Sequence, residues 1–201
     1  ELLLAVDTTM SMGQPAGNAR LNVLKSAAQA LSLGLPASAR AGLIRFSGNT
    51  AVSPGNALVV TPLAPLGAAQ RASFKSTLDS LNPTTELTIK LQDVLISSIT
   101  EFDARGGSGE RHLLILTDGG MAPGFDPDAL AVMARNAGVR MHFVALSGLS
   151  DQPLLARLAS DTGGSAPWPS ATVWRRISTS PSACIVCSAA AGFKPPAGTS
   201  R

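Results

Sequence analysis

The chain has 201 residues, of which 45% are hydrophobic and 14% are charged, and its formal net charge is +3. This length and hydrophobic content suffice for one sizeable core, so we expect one domain followed by a tail. The densest basic stretch is the pair Arg175-Arg176, which argues against a nucleic-acid-binding surface. The longest apolar runs, such as 2–6 and 113–116, are strand-sized and far short of the roughly 20 residues of a membrane span, which argues against membrane insertion.

The first part of the chain alternates apolar runs with helical periodicity. Residues 2–6 form a continuous apolar run, which predicts a buried central strand. Apolar residues at helical spacing then predict a helix that ends at 34–36. Residues 41–46 predict a second strand, and 57–60, which lie between prolines, predict a short edge strand.

Two helices follow in the prediction, a short one that ends at 82–83 and a longer one that begins just after Thr85. Apolar residues of the longer helix recur on one side as far as Phe102. A glycine-rich loop at 105–109 then precedes a buried strand at 112–116.

The last part of the domain repeats the alternation. We expect a helix over 126–136, a strand over 139–146 and a helix that begins at residue 150 or 151. Residues 165–168 and 172–177 predict a last edge strand and a last helix. The whole pattern predicts an α/β fold with a doubly wound, mostly parallel central sheet of about six strands, one short antiparallel edge strand, and helices on both faces.

The composition changes near the C-terminus. We expect the domain to cover 1–178, and the Ser-, Ala-, Pro- and Gly-rich residues 179–201 to form a tail or the start of a following segment. Cys184 and Cys187 lie in this tail as a C-x-x-C pair. A zinc site would need about two further ligands, so a local disulfide or two unreacted thiols are the favoured interpretations.

Oxygen-bearing side chains follow two of the buried strands. Asp7, Thr9 and Ser11 alternate after the first strand, and Asp118 follows the strand at 112–116. In an open doubly wound sheet the first and fourth strands are commonly neighbours, at the point where ligands bind outside the carboxyl ends. Two carboxylates that meet there repel each other unless a cation lies between them. Hard oxygen ligands suit Mg²⁺ or Mn²⁺, and Thr85 offers another hydroxyl before the long helix.

These residues resemble the metal-ion-dependent adhesion site of von Willebrand factor A domains. The resemblance rests on Asp7-x-Thr9-x-Ser11, on Thr85, and on Thr117-Asp118-Gly119, in that order, and it extends over roughly residues 2 to 178. Two further segments, 40–47 and 158–164, are similar to the second strand and a late helix and turn of the family.

The resemblance implies which residues hold the metal. Ser11, Thr85 and the hydroxyl of Thr9 would contact Mg²⁺ or Mn²⁺, with Ca²⁺ less favoured, and Asp7 and Asp118 would bind it directly or through water. The family usually leaves one coordination position for an acidic side chain of a protein partner, and it implies no catalytic residue. The rim residues expected to meet that partner are Met10, Met12, Thr84, Gly119 and Gly120.

The sequence departs from the family pattern at three places. Thr9 stands where serine is usual, Met10 where glycine is usual, and Pro83-Thr84 where a glycine pair is usual. These changes affect loop geometry more than the number of ligands. A von Willebrand A scaffold with a degenerate, metal-free site is therefore one alternative.

Two further expectations concern function and location. The leading hypothesis is a metal-dependent protein-binding module for adhesion or assembly. The alternative is a phosphotransferase of the haloacid dehalogenase type with Asp7 as nucleophile, which would need Lys75 or Lys90 near the phosphate. Few charges, no tyrosine and a possible local disulfide favour an extracytoplasmic bacterial protein over a cytoplasmic one.

Overall fold

The computed structural model of the chain describes residues 1–14, 17–47, 57–86, 89–118, 126–145 and 151–166. Within these residues strands and helices alternate along the chain. The strands are β1 (Leu2–Asp7), β2 (Arg40–Phe46), β3 (Ala57–Pro65), β4 (Arg111–Thr117) and β5 (Val139–Ala145). The helices are α1 (Ala19–Gly34), α2 (Ala68–Ser80), α3 (Leu91–Arg105), α4 (Pro127–Asn136) and α5 (Gln152–Asp161), and a short 3-10 helix covers Met10–Gly13.

The strands form one sheet in the order β3-β2-β1-β4-β5. β1 runs parallel to both β2 and β4, and β4 runs parallel to β5. β3 pairs with β2 antiparallel and forms one edge. This arrangement confirms the predicted doubly wound, mostly parallel sheet with an antiparallel edge strand. The order also reverses at β1, so that β1 and β4 are neighbours, as the sequence predicted.

Alternate residues of the central strands face two separate apolar layers. Leu3 and Ala5 of β1 belong to the layer that the apolar faces of α3, α4 and α5 complete. Leu4 and Val6 belong to the layer that α1 and α2 complete. A strand that is buried on both faces must be apolar at nearly every position, and β1 is. The sheet is therefore fixed from both sides and holds the ends of its strands in place.

Several predicted boundaries shift in the structure. β3 continues to Pro65, beyond the predicted 57–60, and α3 begins at Leu91 instead of just after Thr85. Lys90 has an extended backbone (φ −112°, ψ 91°), so it precedes the helix and is not part of it.

Other predictions extend past the described residues. The predicted last strand at 165–168 is described only at its start, where the amide of Phe143 donates to the carbonyl of Ser165, 3.0 Å away. The predicted helix at 172–177, the tail at 179–201 and both cysteines lie outside the described residues.

The turn after α5 depends on glycine. Gly163 has φ +71°, a left-handed conformation that glycine adopts without strain. A Cβ on Gly164 would lie 1.8 Å from the carbonyl oxygen of Met141. The chain therefore passes directly against β5 at this point, which brings Ser165 alongside that strand.

No helix in the described ranges combines the length and the hydrophobicity that a membrane span needs.

Candidate metal centre

The two carboxylates predicted to face one crevice lie at the ends of neighbouring strands. Asp7 is the last residue of β1, and Asp118 directly follows β4. Because β1 and β4 are parallel and adjacent, both side chains reach the same edge of the sheet. Asp7 has no exposed surface, and Asp118 is 3% exposed. Neighbouring polar groups of the protein therefore take the place of water around both carboxyls.

The loop after β1 folds back on Asp7. The backbone amide and the hydroxyl of Thr9 both donate to Oδ1 of Asp7, at 2.8 and 2.7 Å. Met12 is fully buried in the layer beneath α1 and anchors the short 3-10 helix. This anchor directs the preceding residue, Ser11, toward β4, where its hydroxyl donates to Oδ1 of Asp118 at 2.8 Å.

Four oxygen atoms therefore form a row across the crevice. They are Oδ1 of Asp7, Oγ1 of Thr9, Oγ of Ser11 and Oδ1 of Asp118, and neighbours are separated by 2.7, 3.0 and 2.8 Å. On the far side, the hydroxyl of Thr117 donates to Oδ2 of Asp7 at 2.7 Å. The structure thus brings together four of the five predicted metal ligands.

The row contains fewer protons than contacts. Each short oxygen–oxygen contact needs one hydrogen between its atoms, and the hydroxyls of Thr9 and Ser11 bring one hydrogen each. If both carboxyls are ionised, one of the three contacts joins two lone pairs. Either a proton on a carboxyl or a cation bound to these oxygens removes that repulsion.

The electrostatics of Asp7 agree with this proton count. Burial raises the pKa of Asp7 from 3.8 to about 6, although hydrogen bonds from Thr9 and Thr117 act in the opposite direction. The negative charge of Asp118 adds a smaller upward contribution to this pKa. Asp7 therefore binds a proton more readily than an ordinary aspartate does, as expected of a carboxyl buried away from water.

One positive side chain also enters the site. Nη1 of Arg20, in the first turn of α1, lies 2.8 Å from Oδ2 of Asp118 and donates to the carbonyl of Ser11 at 3.2 Å. The Arg20 side chain is 28% exposed, whereas that of Asp118 is 4% exposed. Arg20 thus reaches the carboxylate from the solvent side and leaves Oδ1 of Asp118 to Ser11.

A third segment lies against the loop after β1. The amide and hydroxyl of Thr84 donate to the carbonyl of Thr8, at 2.7 and 3.0 Å, and the amide of Met10 donates to the carbonyl of Glu86 at 2.7 Å. Thr85 lies between these two attachments, and its side chain is exposed. Its hydroxyl makes no hydrogen bond within the described residues, so its role as a ligand stays a prediction.

The rim residues expected to meet a partner differ in exposure. Met10 is 46% exposed and lies at the edge of the site. The expectation for Met12 is wrong, because its side chain has no exposed surface and packs in the core. Thr84 is half-buried and bonded to Thr8, and Gly119 and Gly120 lie outside the described residues.

Two site residues were not singled out from the sequence. Thr117 belongs to the motif Thr117-Asp118-Gly119 but has no predicted role of its own, and Arg20 lies outside every motif. A signal for Arg20 exists, because a cation in the first turn of a helix opposes the helix dipole and needs a nearby anion. α1 has no acidic residue in its first turn, so the anion had to come from another element.

The donor set fits a hard divalent cation. The described residues contain no group of three His, Cys, Asp or Glu side chains that could hold a metal, so a cation here would depend on hydroxyl oxygens as well as carboxylates. Such all-oxygen sites suit Mg²⁺ and Mn²⁺. Asp7 has no exposed surface, and both its oxygens accept hydrogen bonds, from Thr9 and Thr117, so it presents no oxygen to a phosphate in solution as a nucleophile would. Lys75 pairs with Asp79 on α2.

Solved structures with the same fold include proteins from several sources. A von Willebrand factor type A protein from Catenulispora acidiphila has 18% sequence identity and a TM-score of 0.70, over 90% of this chain and 41% of that one. An aerotolerance-related membrane protein from Bacteroides fragilis has 17% identity and a TM-score of 0.65, over 90% of this chain and 97% of that one. Identities this low show the fold alone.

A third similar structure is described with a metal. It is proximal thread matrix protein 1 from the mussel byssus, with a zinc-occupied metal-ion-dependent adhesion site, at 14% identity and a TM-score of 0.69. The match covers 93% of this chain and 45% of that one, so the chain spans less than half of this protein, as it does of the Catenulispora protein. No curated protein matches the sequence.

The family assignment rests on the sequence profile of the von Willebrand factor type A domain, which matches residues 1–172. The strand order and the position of the two carboxylates agree with it. The chain therefore belongs to the von Willebrand factor type A domain family.

Proposed function

We propose that the chain is a metal-dependent protein-binding module of the adhesion or assembly type, which holds Mg²⁺ or Mn²⁺ at the rim and binds an acidic group of its partner. The hydroxyls of Thr9 and Ser11 and the carboxylate of Asp118 would hold the cation, and Asp7 would support them from beneath. Thr85 would complete this set from the third segment. Bound there, the cation would supply a positive centre for an anionic ligand.

The observation that carries the proposal is the row of four oxygens with one proton too few. A structural cluster of buried hydroxyls and carboxylates normally contains a donor for every contact, since unmatched buried polar atoms are costly. This row contains two hydroxyl protons for three contacts. With a cation bound to both hydroxyl oxygens, the hydroxyl of Thr9 can donate to Asp7 and that of Ser11 can donate to Asp118. The cation then shields the lone pairs of the two hydroxyl oxygens from each other.

The proposal of a protein partner follows from family membership and from the surface. Members of this family are commonly protein-interaction modules, and the proposed ligands would leave part of the octahedral shell of the cation open. Met10, a large apolar side chain that is 46% exposed, lies beside the site, where a partner would cover it. An extracytoplasmic location is part of the proposal, supported by the composition and by the fold shared with a Bacteroides fragilis membrane protein.

Calorimetric titration of the chelator-treated chain with Mg²⁺ and Mn²⁺ tests the proposal. We expect saturable binding of one ion, and we expect Ser11→Ala to weaken it at least tenfold because a ligand oxygen is lost. Thr85→Ala is expected to weaken it as well if the third segment contributes a ligand. Retention of wild-type affinity by Ser11→Ala would contradict the proposed ligand set.

A matched control separates the loss of a ligand from the loss of any hydroxyl. Ser26, on α1, donates to the carbonyl of Asn22 and lies away from the oxygen row. Ser26→Ala should bind Mn²⁺ as the wild type does. Equal weakening in both serine variants would indicate a general change in the fold and not a ligand at Ser11.

A further inference from the structure

We propose that the guanidinium of Arg20 weakens the binding of the cation to this metal centre and strengthens the binding of an anionic carboxylate to the cation-loaded site. The inference rests on the proposed metal function. It assigns to Arg20 a role in ligand specificity that the metal ligands themselves do not provide.

The net charge of the site changes sign when a divalent cation binds. Asp7 and Asp118 bring two negative charges when ionised, and Arg20, which lies 2.8 Å from Asp118, compensates one of them. A divalent cation therefore converts the site from one negative charge to one positive charge, and an incoming carboxylate makes it neutral. Without Arg20 the loaded site would already be neutral and would attract an anion only weakly.

Arg20 approaches Asp118 with one end of its guanidinium and leaves the rest of the group available to a ligand. Its Nη1 atom makes both hydrogen bonds, to Oδ2 of Asp118 and to the carbonyl of Ser11. The other guanidinium nitrogens have no hydrogen-bond partner in the part of the chain that the structure describes, and the side chain is 28% exposed. A carboxylate that binds the cation through one oxygen can accept a hydrogen bond from this guanidinium through the other.

An arginine at this position is unfavourable for the start of α1. α1 begins after Gly17 and Asn18, both with left-handed backbones (φ 88° and 59°), and Asn18 forms no side-chain cap. Arg20 adds a cation to the first turn, where the helix dipole disfavours it. The helix start is therefore unfavourable by itself, and the contact with Asp118 offsets part of this cost.

A merely structural role for Arg20 predicts the opposite result. If Arg20 only held Asp118 in position, its removal would free the carboxylate to move and would weaken cation binding. Repulsion between the guanidinium and the cation instead predicts tighter cation binding when Arg20 is removed. The sign of the change in affinity therefore distinguishes the two roles.

The test uses the full chain and Mn²⁺ as the probe. We expect Arg20→Met to bind Mn²⁺ about tenfold more tightly than the wild type in calorimetric titration, because one nearby positive charge is removed. Acetate is then titrated into the Mn²⁺-loaded proteins, and displacement of Mn²⁺-bound water is followed by solvent-proton relaxation. We expect acetate binding by Arg20→Met to be roughly fivefold weaker than by the wild type.

Arg111→Met is the matched control. Arg111 also forms an ion pair at 2.8 Å, with Asp103, and its side chain is 24% exposed, but it lies at the opposite end of β4 from Asp118. Its loss removes the same net charge from the chain. The Mn²⁺ and acetate affinities of this variant should stay within about twofold of the wild type, since exposed charges at this distance are screened.

The outcomes separate this inference from the proposed function. A wild-type chain that binds no Mn²⁺ overturns the metal proposal itself. A wild type that binds Mn²⁺ together with an Arg20→Met variant that binds it equally or more weakly overturns only the role of Arg20.

Arg20→Lys keeps the positive charge and loses the planar guanidinium with its several donors. It should therefore retain Mn²⁺ affinity within about twofold and lose part of the acetate affinity. Full acetate affinity in Arg20→Lys would overturn the hydrogen bond to the ligand.

Discussion

The two ends of β4 carry polar networks of similar size that differ in their proton count. At the carboxyl end, two buried carboxylates and two hydroxyls form the oxygen row, with two hydroxyl protons for three contacts. At the amino end, His112 faces His142 of the neighbouring strand, and the two rings join Ser165 to Glu110. Both networks consist of polar groups at an end of the same strand, and the oxygen row is the one with fewer hydrogens than contacts.

In the histidine network, hydrogens can be assigned to the contacts that join Ser165, the two rings and Glu110 with both rings neutral. The amide of Ser165 donates to Nδ1 of His142 at 3.1 Å, so a neutral His142 carries its proton on Nε2. That proton faces Nδ1 of His112, 3.1 Å away, which places the proton of His112 on Nε2 toward Glu110. Each of these three contacts of the histidine network therefore has its own hydrogen. The two networks therefore differ in their number of hydrogens and not in being buried polar groups, and the proposed cation site is the one with the deficit.

Supplying the missing proton by mutation gives the largest expected effect. In Asp118→Asn the amide nitrogen can donate to Ser11 while the amide oxygen accepts from Arg20, so all three contacts of the row acquire hydrogens. We expect Mn²⁺ affinity to fall at least about a hundredfold, because a charged ligand is lost. The melting temperature of the metal-free chain should stay the same or rise. Calorimetry and thermal melting measure the two effects, and a destabilised variant that still binds Mn²⁺ would contradict the proton count.

The two networks also respond to acid in opposite directions. The pKa of Asp7 is raised to about 6, so its contribution to stability is fully present below 3.8 and is lost as the pH rises through 6. Burial, and then the neighbouring charge of His112, lowers the pKa of His142 from 6.5 to about 4. The contribution of His142 to stability is fully present above pH 6.5 and is lost as the pH falls toward 4. For the metal-free chain, we therefore expect the two contributions to oppose each other between pH 7 and 5, so that stability changes little.

Saturating Mn²⁺ should uncouple these two contributions. The cation compensates the charge of Asp7, whose raised pKa corresponds to a free energy on the order of 3 kcal/mol, and only the loss at the histidines remains. The free energy of unfolding of the loaded chain should then decrease from pH 7 to 5. Denaturant melts across this range measure it, and His142→Gln is the variant in which the decrease should shrink. Identical pH profiles with and without Mn²⁺ would show that Asp7 is not linked to the metal.

The sequence allowed much of this fold to be predicted because the strands of a doubly wound sheet are apolar at nearly every position. Residues 2–6 and 112–116 identified β1 and β4, and their order along the chain placed Asp7 and Asp118 at one edge. Met12 was misplaced because one residue of a 3-10 helix can face either solvent or core, and only the packing beneath α1 decides between them. Arg20 was missed because its partner, Asp118, is 98 residues away along the chain.

An anomalous difference map from crystals of the chain grown with Mn²⁺ tests the claim that the oxygen row binds a divalent cation. We expect one peak about 2.1 Å from the hydroxyl oxygen of Ser11, with the hydroxyl of Thr9 and the carboxylate of Asp118 also in contact. We expect this peak to disappear in Asp118→Asn crystals. A map with no peak at this rim, or with peaks only at surface carboxylates elsewhere, would contradict the claim.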